Sequence, residues 1–129
     1  MKYQTKACMS TIQRGDVYLA HISFPVDLGT SKTHVRYVVI LQSEEHPIFR
    51  KSPTIVVVPL TTQKPHVEYP TDIYVPPQEC EYSTGVRITS NQLYTIDKTH
   101  LIKYKYTLSQ STIAKLDYAI ALATGLIEA

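Results

Sequence analysis

Of the five histidines in the chain, His21, His34, His46, His66 and His100, only His34 sits in a stretch whose composition suggests chemistry. It lies in Val26 to Val35, where Asp27, Gly29, Thr30, Ser31, Lys32 and Thr33 give the small polar character of a long exposed loop. Loops of that length in small domains often carry function. An imidazole with an ordinary pKa of about 6.5 can move a proton at neutral pH. The other four histidines show no metal-ligand spacing, and Cys8 and Cys80 belong to no CxxC or Cys/His pattern, so no metal or other cofactor is expected. Ten tyrosines stand beside two phenylalanines and no tryptophan. Tyrosine stacks on nucleobases with its hydroxyl wet, but it also favours strands, so a tyrosine-rich sheet is the simpler account of the count.

Charge does not choose between those uses. Thirteen Lys+Arg against eleven Asp+Glu give a formal net charge of +2, too mild to diagnose a nucleic-acid binder by itself. A length of 129 residues with 43% hydrophobic and 19% charged residues fits one domain spanning 1–129, with residues 1–12 as a flexible polar tail. A chain of that size buries about two thirds of its unfolded surface, so no disulfide staple is needed and both cysteines are expected as reduced thiols. The opening residues hold no signal-peptide core, and no later run approaches the roughly 20 apolar residues of a membrane helix. A soluble, cytoplasmic protein without membrane contact is expected.

The elements that would position a site are mostly strands. Gly15 to Phe24 alternates around Val17, Leu19 and Ile22 and ends at Pro25, a first strand. Tyr37 to Leu41 and Ile55 to Val58 are continuous β-branched runs, expected where a strand is buried on both faces. Glu44 to Pro53 reads as a turn-rich connection. Pro65, Pro70, Pro76 and Pro77 punctuate Val67 to Val75, which limits any strand there to an edge. Gly85 to Thr89, Gln92 to Ile96 and Leu101 to Tyr106 read as further short strands. Ile113, Leu116, Ile120, Ala123 and Ile127 then recur at spacings of three and four, a helix with Ser109 or Ser111 as N-cap. The pattern is that of a mostly β barrel or sandwich with a C-terminal α-helix.

Five segments carry a resemblance. Arg14-Gly15-Asp16-Val17-Tyr18, Val35-Arg36-Tyr37-Val38-Val39-Ile40, the run Ser52 to Thr62, Gln92-Leu93-Tyr94-Thr95-Ile96-Asp97-Lys98 and the helix Lys115 to Leu126 resemble, in order and spacing, the MazF/PemK/Kid toxins. The resemblance covers roughly Gln13 to Ile127. It implies an SH3-like small β-barrel of the CcdB/MazF type with a terminal helix, usually a homodimer. It also implies a toxin of a toxin–antitoxin pair that cuts single-stranded RNA without a metal, leaving a 2′,3′-cyclic phosphate and a 5′-hydroxyl.

Such a cut needs a cation for the phosphorane, hydrogen-bond donors and proton-transfer groups. The resemblance assigns the cation to Arg36, whose planar fork gives bidentate donors to phosphate and stays charged. It assigns a donating hydroxyl to Thr61. Some relatives place an arginine and an aspartate just before the glutamine that Gln92 matches; here those positions hold Thr89 and Asn91. Asn91 cannot act as a general base. Arg87, two residues before Thr89, could supply charge to the same surface, and His34 is the titratable group nearest Arg36 in sequence. Tyr37 stands where the family usually has proline. Lys32, Thr33, Thr62, Gln63, Lys64 and Gln92 are candidate RNA contacts. The expected partners are single-stranded RNA and the C-terminal segment of an antitoxin. Two other readings share the fold: a CcdB-like gyrase inhibitor, against which the missing C-terminal tryptophan speaks, and a homologue with weak turnover, for which Asn91 is the motive.

Overall fold

The computed structural model describes residues 11–25, 31–62, 67 and 69–128, with the side chains of 24–25 and 31–33 outside that description. The strands are β1 (Asp16–Pro25), β2 (Ser31–Ile40), β3 (Thr54–Thr61), β4 (Asp72–Val75), β5 (Val86–Thr89), β6 (Tyr94–Asp97) and β7 (Leu101–Thr107). Among the described residues, α1 (Pro47–Lys51), α2 (Pro77–Cys80) and a 3-10 turn (Lys98–His100) lie between strands, and α3 (Gln110–Ala123) follows the last one. Every strand pairing is antiparallel, in the order β4-β5-β3-β2-β1-β7, with β6 also on β3.

The β-branched runs form the centre because both their faces are covered. Val39 and Leu41 of the β2 segment, with Val58 and Leu60 of β3, join Val17, Ile88, Leu116 and Ala119 in one cluster beneath α3. The alternate residues Val38, Ile40, Ile55 and Val57 join Tyr18, Ala20, Ile22 and Ile96 in a second cluster on the opposite face. Each fully buried aliphatic side chain contributes about 1.5–3 kcal/mol. Ile12 packs onto the second cluster and donates its N–H to Glu44 Oε1 at 3.0 Å.

β3 takes two partners along one edge. Thr54 to Val57 pair with β6, whereas Leu60 and Thr61 pair with β5. The gap between those partners falls at Val58 and Pro59, and proline has no N–H to offer a ladder. Two register shifts further bend β1 against β7. Among the described residues no ladder joins β4 to β7, so the sheet is open where an SH3-like closed barrel was expected. The short β4, bounded by prolines, is an edge strand as expected.

The Arg14-Gly15-Asp16 run is architectural. Gly15 has φ +91°, and a Cβ there would meet Ile113 Cδ1 of α3 at 2.6 Å. Asp16, fully buried, accepts the Gln13 N–H at 2.9 Å and the Thr107 hydroxyl at 2.7 Å. Arg14 bridges to Asp117 of α3 at 2.7 Å. These contacts lock the start of β1 to β7 and the helix. Ser109, rather than Ser111, caps α3 by accepting the Thr112 N–H. The helix stops at Ala123 because Gly125, φ +77°, turns the chain, and the Leu126 N–H closes back on Ala121 O at 2.9 Å. Ile127, in phase with the helical pattern, therefore lies beyond the helix.

Candidate active site

Of the stretch Val26 to Val35 read as a loop, residues 31–35 belong to a strand and residues 26–30 lie outside the described residues. β2 already starts at Ser31, which pairs with Pro25 of β1, so β1 and β2 form a hairpin that runs well past the end of β3 at Thr61. Polar composition favoured a loop, but ladder pairing with β1 overrides it. The step where β3 ends beside this hairpin holds a cavity of about 350 Å³ lined by Arg36, Tyr37, Leu60, Thr61, Thr62 and Tyr82, among others.

Register explains why Arg36 and Thr61 meet there. Tyr37 pairs with Leu60, and continuing that register by one residue sets Arg36 opposite Thr61. Arg36 faces Ala20 on its other side, a residue too small to crowd a guanidinium. Thr61 in turn pairs with Arg87, and Arg87 with Tyr74. Directly opposed residues share a sheet face, with Cβ atoms about 4.5–5.5 Å apart. One row across the sheet thus reads Ala20, Arg36, Thr61, Arg87, Tyr74, a hydroxyl between two arginines. Arg87 stands 3.8 Å from the carboxylate of Asp72, so part of its charge is matched within the protein.

The remaining candidates are distributed less uniformly. His34 pairs with Ile22 and lies two residues from Arg36 on a regular strand, hence on the same face, though it does not line the cavity. Asn91 and Gln92 are exposed in the turn after β5, where the Gln92 N–H donates to Thr89 O at 3.1 Å, and neither lines the cavity. Thr62 does. Gln63 and Lys64, and the side chains of Lys32 and Thr33, lie outside the described residues. Among the described residues no group of three His, Cys, Asp or Glu side chains is placed to hold a metal.

Sequence reasoning did not single out Tyr82. It reaches the cavity from the segment between α2 and β5 and meets Tyr37 edge-to-face, ring centroids 6.0 Å apart and planes at 69°. Burial, reinforced by the hydrogen bond with Tyr37, holds the Tyr82 phenol far above its ordinary range, so it stays neutral. Burial does the same to Tyr106 behind it. A larger cavity of about 600 Å³ lies between β4 and α3, lined by Ile73, Tyr74, Ala114 and Tyr118. It has no arginine and a largely apolar wall, so the smaller cavity is the one with chemistry.

An arginine and a threonine set in register at a strand-end step, on an antiparallel sheet backed by a C-terminal helix, offer a cation and a hydroxyl donor to an anionic ligand. The family model of PemK-like, MazF-like toxins of type II toxin–antitoxin systems matches residues 13–124, and the chain belongs to that family. It is 33% identical over 115 residues to an endoribonuclease MazF of Staphylococcus epidermidis, covering 89% of this chain and 92% of that one. Among solved structures, a mycobacterial endoribonuclease in complex with its cognate antitoxin superposes with a TM-score of 0.69 at 25% identity, over 92% of this chain and 99% of that one. The Mycobacterium tuberculosis toxin MazF-mt6 shares the fold, with a TM-score of 0.65 at 19% identity over 88% of this chain and 99% of that one.

Proposed function

We propose that this MazF-type toxin endoribonuclease cuts single-stranded RNA without a metal, using the ribose 2′-hydroxyl as nucleophile and leaving a 2′,3′-cyclic phosphate and a 5′-hydroxyl. The observation that carries the reading is the opposition of Arg36 and Thr61 at the cavity where β3 ends. Arg36 holds the scissile phosphate and stabilises charge that builds on its oxygens in the phosphorane, while the Thr61 hydroxyl donates to a non-bridging oxygen. Arg87, in the same row, adds positive potential to the phosphate path. His34, two residues from Arg36 on the same strand face, is the first candidate for proton transfer. Asn91 lies exposed in the turn after β5 and does not line the cavity, so no proton transfer is assigned to it.

By likeness to the mycobacterial complex, the C-terminal segment of a cognate antitoxin is the protein partner, lying across the hairpin and the cavity and folding as it binds. A homodimer acting on RNA in the cytoplasm completes the proposal. No described helix is long and apolar enough to cross a membrane.

The test is incubation of the purified protein with long single-stranded RNA in EDTA, beside Arg36→Ala, with product ends mapped. Discrete fragments with cyclic-phosphate ends that vanish in the variant support the mechanism. Cleavage that needs added metal, or that survives in Arg36→Ala, overturns it.

A further inference from the structure

The cavity that holds Arg36 and Thr61 has one wall without a part in phosphate chemistry. Leu60 and the Tyr37–Tyr82 pair form it, both rings half-buried and set edge-to-face. About 350 Å³ suits a single nucleotide rather than a longer segment. By strand alternation Arg36 and Thr61 belong to the row of Ala20, and Tyr37 and Leu60 to the opposite face, so only at the end of β3, where one cavity is lined from both rows, do the arginine and the rings come within a nucleotide of each other. A base turned out of its stack needs an aromatic face, because stacking holds it without regard to strand pairing.

We propose that Tyr82, braced by Tyr37, is the platform on which a base next to the scissile phosphate stacks, and that it sets a base preference of the cut site. The inference rests on the ribonuclease reading of this cavity and deepens it. Tyr37 fixes the orientation of Tyr82 through the edge-to-face contact between the two rings, so the face is preorganised before RNA arrives. The pair is a consequence of Tyr37 itself: a proline at that position would offer no ring for Tyr82 to lean on. Tyr82 is thus a specificity-determining residue and not a catalytic one.

Three variants test this on the whole protein. Tyr82→Leu keeps an apolar side chain but loses the π-face, and its KM for a short RNA substrate should rise about 5- to 100-fold with kcat nearly kept. Its cut sites should also lose their preference at one position beside the cleaved bond. Tyr82→Phe, which keeps the ring, restores most of that affinity. Tyr82→Trp introduces the only tryptophan in the chain, and its fluorescence should be quenched by a single-stranded oligonucleotide made uncleavable by 2′-deoxy sugars. That readout needs no turnover. Quenching with no RNA cleavage by the wild type would sustain the platform and overturn the ribonuclease mechanism. Wild-type KM and cut-site preference in Tyr82→Leu, or an unquenched tryptophan at oligonucleotide concentrations that saturate the wild type, would overturn the platform and leave the mechanism standing. Should Tyr82→Leu fail to fold by circular dichroism, the tryptophan readout decides alone.

Discussion

Arg87 on β5 stands 3.8 Å from the Asp72 carboxylate on β4, whose side chain has no solvent exposure, while Arg87 keeps only 14%. The pair ties the edge strand to the sheet on the same row that holds Thr61. Asp72 also accepts the Tyr69 N–H at 3.0 Å, fixing the turn that enters β4. Removing the carboxylate would take this ion pair from a mostly buried guanidinium.

Asp72→Ala should therefore lower unfolding stability by about 3 kcal/mol, because breaking one half of a buried pair exposes the full desolvation cost of the other. Urea unfolding of the variant against wild type measures it. A change below about 0.5 kcal/mol, the usual size of a surface substitution, would mean that the pair does not hold β4.

Gly15→Ala should destabilise for two separable reasons. The backbone at φ +91° is strained for any residue with a Cβ, and that Cβ would sit 2.6 Å from Ile113 Cδ1. A loss of about 2–4 kcal/mol in urea unfolding is expected, combining roughly 1–3 for strain with overpacking. Adding Ile113→Ala should recover only the steric part, leaving the double variant below Ile113→Ala alone. Full recovery would locate the whole cost in packing.

Most strands were legible because their cause is local: β-branched runs with both faces apolar have few other ways to be buried. The terminal helix was legible from its period, down to a serine cap. Failures trace to long-range pairing or to shortness. Ser31 to Val35 look like a loop, and only the ladder to β1 makes them strand. α1 spans five residues, too few to show a period, and is signalled only by Pro47 and the His46 cap that accepts the Ile48 N–H. Arg36 and Thr61 became candidates through resemblance, not through their own segments. Their opposition, and the placing of Arg87 beside Thr61, depend on register, which no single segment encodes. Tyr82 lies 45 positions from Tyr37 and reaches the site from the segment between α2 and β5.

Arg36→Lys separates charge from geometry at the proposed site. A lysine keeps the positive charge but not the planar fork, so phosphate attraction survives while bidentate support of the phosphorane does not. Cleavage should fall about 10²- to 10³-fold in kcat, the usual cost of one lost transition-state donor. KM should change little, and the melting temperature should stay within a few degrees. A variant with wild-type kcat would show that charge alone suffices at this position.

Tyr106 provides a prediction about pH. Its ring is 8% exposed, and its hydroxyl has no hydrogen-bond partner among the described residues. Burial pushes its pKa well above the ordinary value of 10.0. The unfolded chain therefore loses this proton first as pH rises, and the folded protein binds more protons than the unfolded one above that value. Stability is thus fully present below about pH 10 and falls by up to about 1.4 kcal/mol per pH unit above it, until the folded group titrates as well. Tyr106→Phe removes both the buried hydroxyl and the titration. At neutral pH the variant should equal or exceed wild type by about 1 kcal/mol, since a buried unsatisfied hydroxyl is lost and the ring is kept. Between about pH 10 and 11.5 its stability should fall less steeply than that of wild type, the remaining slope coming from groups such as Tyr82, whose pKa is raised in the same direction. Urea unfolding across that range measures the difference, and parallel slopes for the two proteins would show that Tyr106 ionises alike in both states.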